Sequence, residues 1–411
     1  MPDMRRIGVF NRVICVFLLP ALFLFPGETT AGETSFVPSI DVTAEYDDNI
    51  YYTRENEESD YKASVKPGFE LAYKSELFNV RSRGYVDFLR FLDNTNLNRE
   101  NYYGMIDAGV NVTERLDLKG NFSFINDTTL DSQLYETGIV TTRTDRKRYD
   151  AGGDLTYRVT ERSSAGIGYN HQAVRYGSDL YVDYDHDSAA LIFSRLFNNG
   201  LDRFTVKPYF GYWRSDLSSV HNYGLSLGLL HTFTETFTLE GSVGVRHTET
   251  ERNYRKGEIA FDPDTGTFRL VEKDEERKDR DWGGTVNIQV KKTWTRSSLA
   301  VGYGHELTYT TSDGNAEPVE VDRIFCRIGH EITPRFRAGF EGSYYMSESE
   351  SEFGDEDTRY LTLTPSLEYD IARYFSIRLA YRYSRETDRR LDGHPSQERN
   401  RVWLTFTGKF L

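Results

Sequence analysis

Side chains alternate with a period of two along most of the chain, and that pattern limits the fold more than any other feature. From Phe78 to Phe88, residues Phe78, Val80, Ser82, Gly84, Val86 and Phe88 fall on one face, with Asn79, Arg81, Arg83, Tyr85 and Asp87 on the other. Leu116, Leu118, Gly120, Phe122 and Phe124 alternate in the same way with Asp117, Lys119, Asn121 and Ser123. So do Phe375, Ile377, Leu379, Tyr381 and Tyr383 with Ser376, Arg378, Ala380, Arg382 and Ser384. A helix, with its period of about 3.6, cannot hold such a pattern on one face; an extended strand can. Strands of a soluble sandwich usually run about 5–6 residues, and these runs are about twice as long. Hydrophobic residues make up only 38% of the 411 residues while aromatics make up 14%, with 28 Tyr, 26 Phe and 33 Gly. So much aromatic surface on so polar a chain needs apolar and polar residues in close alternation, as in a barrel with lipid outside and water inside.

Connections alternate between short and long. The short ones include Thr113-Glu114-Arg115, Thr160-Glu161-Arg162, Thr234-Glu235-Thr236, Thr295-Arg296, Thr333-Pro334-Arg335 and Ile371-Ala372-Arg373, with further turns near Ser75 and at Asn199-Gly200. Between them lie polar stretches such as Thr53 to Asp60, Thr128 to Lys147, Arg252 to Asp281 and Ser349 to Asp357. This asymmetry predicts an all-β fold: a transmembrane antiparallel up-and-down β-barrel with short periplasmic turns and long extracellular loops. Strand starts are predicted near Phe36, Tyr61, Leu77, Tyr102, Leu116, Arg148, Ser164, Asp185, Arg203, His221, Phe237, Asp281, Ser297, Asp322, Phe336, Thr358, Tyr374 and Arg399. That is about 18 strands, which places both termini in the periplasm and leaves a wet lumen unless loops fold into it.

At the N-terminus, Arg5, Arg6 and Arg12 surround the start of an apolar run from Val13 to Phe25, followed by Pro26-Gly27-Glu28-Thr29-Thr30-Ala31-Gly32. This is the build of a secretory signal peptide, so residues 1–31 are read as signal and 32–411 as a single outer-membrane barrel domain. The run is shorter than the ~20 residues of a helical span. With a first strand starting a few residues after the cleavage point, no N-terminal plug, recruitment repeat or passenger is expected. Cys15 leaves with the signal and Cys326 remains alone, so the mature chain has no internal disulfide. A net charge of -14 gives no attraction for nucleic acid. The eight His residues form no close pair with metal-ligand spacing, and neither a nucleophile elbow nor a phosphate loop is present, so no enzyme, cofactor or metal is expected. Phe261-Asp262-Pro263-Asp264-Thr265-Gly266-Thr267-Phe268 has carboxylates two apart, but its turn chemistry predicts an extended hairpin rather than a Ca²⁺ loop.

The closing segment, Val402 to Leu411, puts Val402, Leu404, Phe406 and Phe410 on one face and resembles the C-terminal targeting signal of bacterial outer-membrane proteins. The opening segment, Pro38-Ser39-Ile40-Asp41-Val42-Thr43-Ala44-Glu45-Tyr46-Asp47-Asp48-Asn49-Ile50-Tyr51, resembles the start of outer-membrane barrels of the type known as β-barrel porin 2. Tyr-Asp-Asp-Asn-Ile is its specific part. The resemblance implies a Gram-negative outer-membrane channel for a secreted exopolysaccharide, in contact with outer-membrane lipid and lipopolysaccharide and served by periplasmic polysaccharide-export proteins. A general diffusion porin for small solutes is the alternative. A structural or adhesin-like barrel and an outer-membrane hydrolase are the remaining classes, the former expected to show a lumen occluded by loop residues.

Alternation also assigns the inner face. Pore-lining candidates are Arg81, Arg83, Asp87, Lys119, Lys207, Glu240, Arg246, Lys291, Arg337, Glu341, Arg378 and Arg382. Inward charges of the two signs nearly balance, which suits an uncharged or weakly charged hydrated polymer; the plainer reading is cross-strand bracing of the wall. Arg81, Arg83, Arg378 and Arg382 could line up as a basic stripe, or be compensated by Asp41, Glu45 and Glu70 on the strands between. Tyr85, Tyr103, Tyr209, Trp213, Tyr345, Tyr360 and Trp403 are candidates for stacking on sugar rings, against the alternative of girdle or wall residues.

Overall fold

The computed structural model describes residues 32–140, 142–197, 200–262, 267–310, 317–349, 356–389 and 395–410. The signal peptide reading and the Pro263 to Gly266 turn lie outside these residues.

Eighteen strands follow in chain order: β1 Glu33–Asp47, β2 Asp60–Lys74, β3 Phe78–Phe91, β4 Arg99–Thr113, β5 Leu116–Thr128, β6 Asp145–Thr160, β7 Ser163–Tyr176, β8 Tyr184–Leu196 and β9 Asp202–Ser215. The second half is β10 Ser218–Thr234, β11 Phe237–Asp262, β12 Thr267–Thr293, β13 Ser297–Thr310, β14 Glu317–Thr333, β15 Phe336–Ser349, β16 Glu356–Ala372, β17 Phe375–Asp388 and β18 Ser396–Lys409. Each pairs antiparallel with its sequence neighbours, and β1 pairs with β18 from Ser39↔Lys409 to Asp47↔Arg401, so the sheet has no free edge. Closure satisfies every ladder and is what lets a sheet cross lipid. The outer face carries exposed apolar residues at every second position, including Leu225, Leu227 and Leu229 on β10 and Val402, Leu404 and Phe406 on β18. The fold is the predicted transmembrane up-and-down barrel.

Threonine sets the short turns. The Thr113 hydroxyl accepts hydrogen bonds from the Arg115 and Leu116 amides, and Thr333 does the same for Arg335 and Phe336. Thr160 and Thr234 each cap the amide two residues on. These are side-chain mimics of a turn, and at all four the ladder shifts register just before the threonine. The start of β1 at Glu33 and the end of β18 at Lys409 lie at this turn rim; the opposite rim carries the loops.

One seam breaks the regularity. β11 and β12 pair all the way to Asp262↔Thr267, so the long polar segment from Arg252 to Asp281 is an extended hairpin, as the turn chemistry at its tip predicts. Here charge replaces apolar alternation although the backbone stays paired. β12 and β13, however, pair only from Val286↔His305 to Thr293↔Ser298. Beyond that point β13 parts from β12 and the β13–β14 hairpin bends inward, while β14 keeps its pairing with β15 as far as Glu320↔Glu348. Its outer face meets the inner wall: Glu320 pairs with Arg246 of β11, Glu317 with Arg252 at 2.9 Å, and the Tyr309 ring stacks on Trp213 of β9 at 4.9 Å.

Candidate functional site

The loop between β5 and β6, Thr129 to Thr144, folds into the lumen. It forms five residues of π-helix and one α-helical turn, ended by Gly138 in the left-handed region at φ 74°. Leu130, Leu134, Ile139 and Val140 are buried there against Val319 and Val321 of β14, Tyr345 of β15, Tyr360 of β16 and Tyr52 of the β1–β2 loop. In a barrel of 18 strands, β5 and β14 stand on opposite walls, so this apolar cluster bridges the lumen at its loop rim. Gly138 is required twice over: a Cβ there would meet the Tyr345 Cβ at 2.9 Å, and its φ disfavours any L side chain.

Charges fasten this plug. Arg99, at the start of β4, donates to Asp131 at 2.6 Å and Thr128 donates to it at 2.9 Å. Burial alone would raise the Asp131 carboxyl, but the Arg99 and Arg143 guanidinium groups outweigh it and hold the group well below the usual carboxylate range. Arg143 reaches the other way, donating to the Ile50 carbonyl at 2.7 Å. Tyr135 is the far anchor. Arg401 of β18 donates to its hydroxyl at 3.0 Å, Tyr345 donates to its carbonyl at 2.7 Å, and the Arg382 guanidinium lies 4.4 Å from its ring centre. Burial would raise the Tyr135 phenol; the positive charge of Arg401, Arg399 and Arg382 pulls it below its ordinary value instead.

The Tyr46 to Tyr51 segment belongs to the same construction. Asp47 is fully buried and takes Arg399 at 2.5 Å and Lys62 at 2.8 Å, while Arg401 and Lys62 share Glu45. Asp48 binds both the backbone amide and the side-chain amide of Asn400. Asn49 donates to the Thr53 and Glu398 carbonyls and accepts from the Thr53 amide. These residues clasp β1 to β18, shape the first loop and present Ile50 to the plug.

Among the pore-lining candidates, several engage neighbours along the wall. Arg81 pairs with Glu70 at 2.6 Å, Glu341 with Arg327 at 2.9 Å, and Arg337 with both Glu368 and Asp370 at 2.8 Å. Asp87 accepts from Ser64 and lies 3.7 Å from Lys66. Arg378 donates to Ser366, and Arg382 to Thr364 besides covering Tyr135. Arg246 is given over to Glu320. Among the described residues Arg83, Lys119, Lys207, Glu240 and Lys291 have no ion-pair partner within 4.0 Å. The possible basic stripe is thus split: Glu70 holds Arg81, Glu45 is taken by Lys62 and Arg401, and Asp41 binds Thr407.

The aromatic candidates divide by what covers them. Trp213, Tyr345 and Tyr360 are 0–1% exposed, the first beneath Tyr309 and the others beneath the plug. Tyr85 and Tyr103 stack on each other at 5.0 Å, and Trp403 lies under Arg382 and Arg401. Tyr209 lines two adjoining cavities of about 590 and 320 Å³ along the inner wall. Two further recesses, of about 450 and 280 Å³, lie toward the turn rim. The plug, the inward hairpin and the Tyr135 clamp were not among the sequence candidates. Their signal was present: four aliphatic residues, Leu130, Leu134, Ile139 and Val140, in a loop that lipid and water alone would have kept polar.

No protein-family model matches the chain, and no curated protein matches it. Solved barrels align over most of its length. OccK9 (OpdG) of Pseudomonas aeruginosa covers 92% of this chain and 99% of its own at 12% identity and a TM-score of 0.45. The outer membrane channel DcaP of Acinetobacter baumannii covers 94% and 100% at 10% identity and 0.45. The ferric citrate transporter FecA covers 92% and 79% at 8% identity and 0.47.

Proposed function

We propose that this barrel is a channel of the Gram-negative outer membrane, with both termini periplasmic, and that it passes a secreted polysaccharide outward when its plug is displaced. The observation that carries the channel is the contrast along its axis: open recesses lined by charged and hydroxyl side chains toward the turn rim, and at the loop rim a single small apolar cluster fastened to the wall by a few charged contacts. A lumen lined by charged and hydroxyl groups below that closure is costly unless water or a solute uses it. The polysaccharide cargo rests on the resemblance at Tyr46 to Tyr51 and on the mixed inner charges, which suit a hydrated polymer better than a small ion. Periplasmic export proteins would hand it the chain, and lipopolysaccharide would surround its outer leaflet.

A barrel that conducts nothing is the second reading, and the docked plug favours it. A deletion strain separates the cargoes. Loss of surface polysaccharide with unchanged small-solute uptake is expected; normal polysaccharide with slowed uptake would instead make the barrel a diffusion porin. Planar-bilayer recording separates channel from scaffold: a channel opens when the Tyr135 clamp is cut, whereas a scaffold stays silent.

A further inference from the structure

We propose that the 590 Å³ cavity on the inner wall of β8–β13 is a saccharide subsite that takes uncharged sugar units, with the Tyr209 ring as its platform. The inference rests on the polysaccharide reading above and adds the place and the chemistry of contact.

The ring is held flat and ready. One face covers Gly224 on the adjacent strand, so closely that a Cβ at Gly224 would fall on the ring carbons, and the hydroxyl is hydrogen-bonded to Thr285 of β12. Among the described residues no other aromatic ring packs against it, so its second face borders the cavity. A pyranose offers an apolar patch of C–H groups to such a face while its hydroxyls point sideways, where they need donors and acceptors.

The wall supplies both. Ser226, Thr205 and Asn287 line the same cavity, and the Asn222 carbonyl oxygen is buried without a hydrogen-bond partner. Lys207 and Arg203 on one side, Glu240 and Glu306 on the other, line it without ion pairs among the described residues. Opposed and unpaired, these charges can donate to and accept from hydroxyls while giving no net attraction for an ionic ligand. The volume lies in the ordinary range for small-molecule sites, about 300–1,000 Å³.

The competing account is that Tyr209 merely covers a strand glycine. Saturation-transfer NMR on the detergent-purified full-length barrel decides between them, with maltohexaose and cellohexaose as neutral probes and trigalacturonate as the acidic one. Neutral hexaoses should bind at millimolar concentration. Tyr209→Ala should weaken them by about tenfold, Tyr209→Phe should keep them, and Gly224→Ala, which displaces the ring, should match Tyr209→Ala. Tyr209→Leu replaces the alanine variant if the latter does not fold, folding being checked by heat-modifiable gel mobility. No binding of either hexaose, binding indifferent to Tyr209, or preference for trigalacturonate would overturn the proposal. The two readings fail separately. If deleting the protein abolishes surface polysaccharide while Tyr209 variants bind hexaoses normally, the subsite is wrong and the export reading stands. If Tyr209-dependent binding persists while deletion leaves the polysaccharide unchanged, export is wrong and the subsite stands.

Discussion

Asp131 and Tyr135 lie four residues apart in the plug, and arginines lower the pKa of both: Arg99 of β4 and Arg143 of the loop for Asp131, and Arg401, Arg399 and Arg382 of the wall for Tyr135. A carboxyl held below its ordinary value of 3.8 in the docked loop stabilises docking fully above that pH, and the contribution is lost as the pH falls through the depressed value. The Asp131 contribution to closure should therefore hold from neutrality down to about the free carboxylate range and fail only in stronger acid. Bilayer conductance recorded down a pH series should stay flat and then rise; Asp131→Asn should raise it at neutral pH and flatten the acid step. A step near neutral pH that Asp131→Asn leaves in place would belong to Tyr135, whose phenol is pulled down to about 7. For Tyr135 the same loop loses the charge-assisted hydrogen bond from Arg401 and a cation–π contact if the side chain is removed, while the Tyr345 bond to its backbone carbonyl stays. Tyr135→Ala should cost docking roughly 2–4 kcal/mol and lift conductance several-fold, with Tyr135→Phe intermediate because it keeps the ring over Arg382. Gly138→Val should open the channel by a different route, since it forces an L side chain into both a left-handed backbone and the Tyr345 side chain.

At the level of elements, strands were legible and the plug was not, for one physical reason. Lipid on one side and water on the other write a period-two code into any strand that crosses, so Leu116, Ser297 and Phe336 begin strands where the alternation begins. Where neither solvent contrast exists the code is silent. In the upper halves of β11 and β12, between Arg252 and Asp281, the sequence holds charges rather than apolar alternation, so only the turn chemistry at the tip marks the hairpin. Val319 and Val321 fell before the expected start of β14 at Asp322 because their burial is against the plug, not lipid. The inward face was legible by residue but not by partner: alternation placed Arg246 and Trp213 inside, while their engagement by Glu320 and Tyr309 depends on the hairpin bend. If the plug is an element added to a self-sufficient wall, replacing residues 130–140 by a Gly/Ser chain of equal length should leave barrel folding intact. Every strand is paired on both sides without it. Heat-modifiable mobility should be retained and conductance should increase; a barrel that no longer folds would make the plug part of the folding core instead.

The whole molecule has a direction, and its two rims differ in chemistry as well as in length. The turn rim is built from threonine-capped turns at Thr113, Thr160, Thr234 and Thr333, which fix neighbouring strands at minimal length. The loop rim carries the plug, the first loop with Tyr52 and Asn56 at positive φ, and the projecting β11–β12 hairpin. Strained backbone persists only where surrounding packing over-determines it, and here it lies beside the plug, at the end where closure is made. A channel that must exclude outside solutes until a polymer arrives gains by placing that closure at the outer mouth. The orientation that follows puts the short turns and both chain ends inside. Cysteine labelling of intact cells with a membrane-impermeant maleimide tests it, in a Cys326→Ser background so that the native thiol does not report. Leu180→Cys, on the exposed β7–β8 loop, should label without disruption of the cells. Glu114→Cys and Glu161→Cys, on the threonine-capped turns, should label only after the outer membrane is permeabilised. The reverse pattern would put the plug on the periplasmic side, where it would hold cargo back from entry rather than guard the exit.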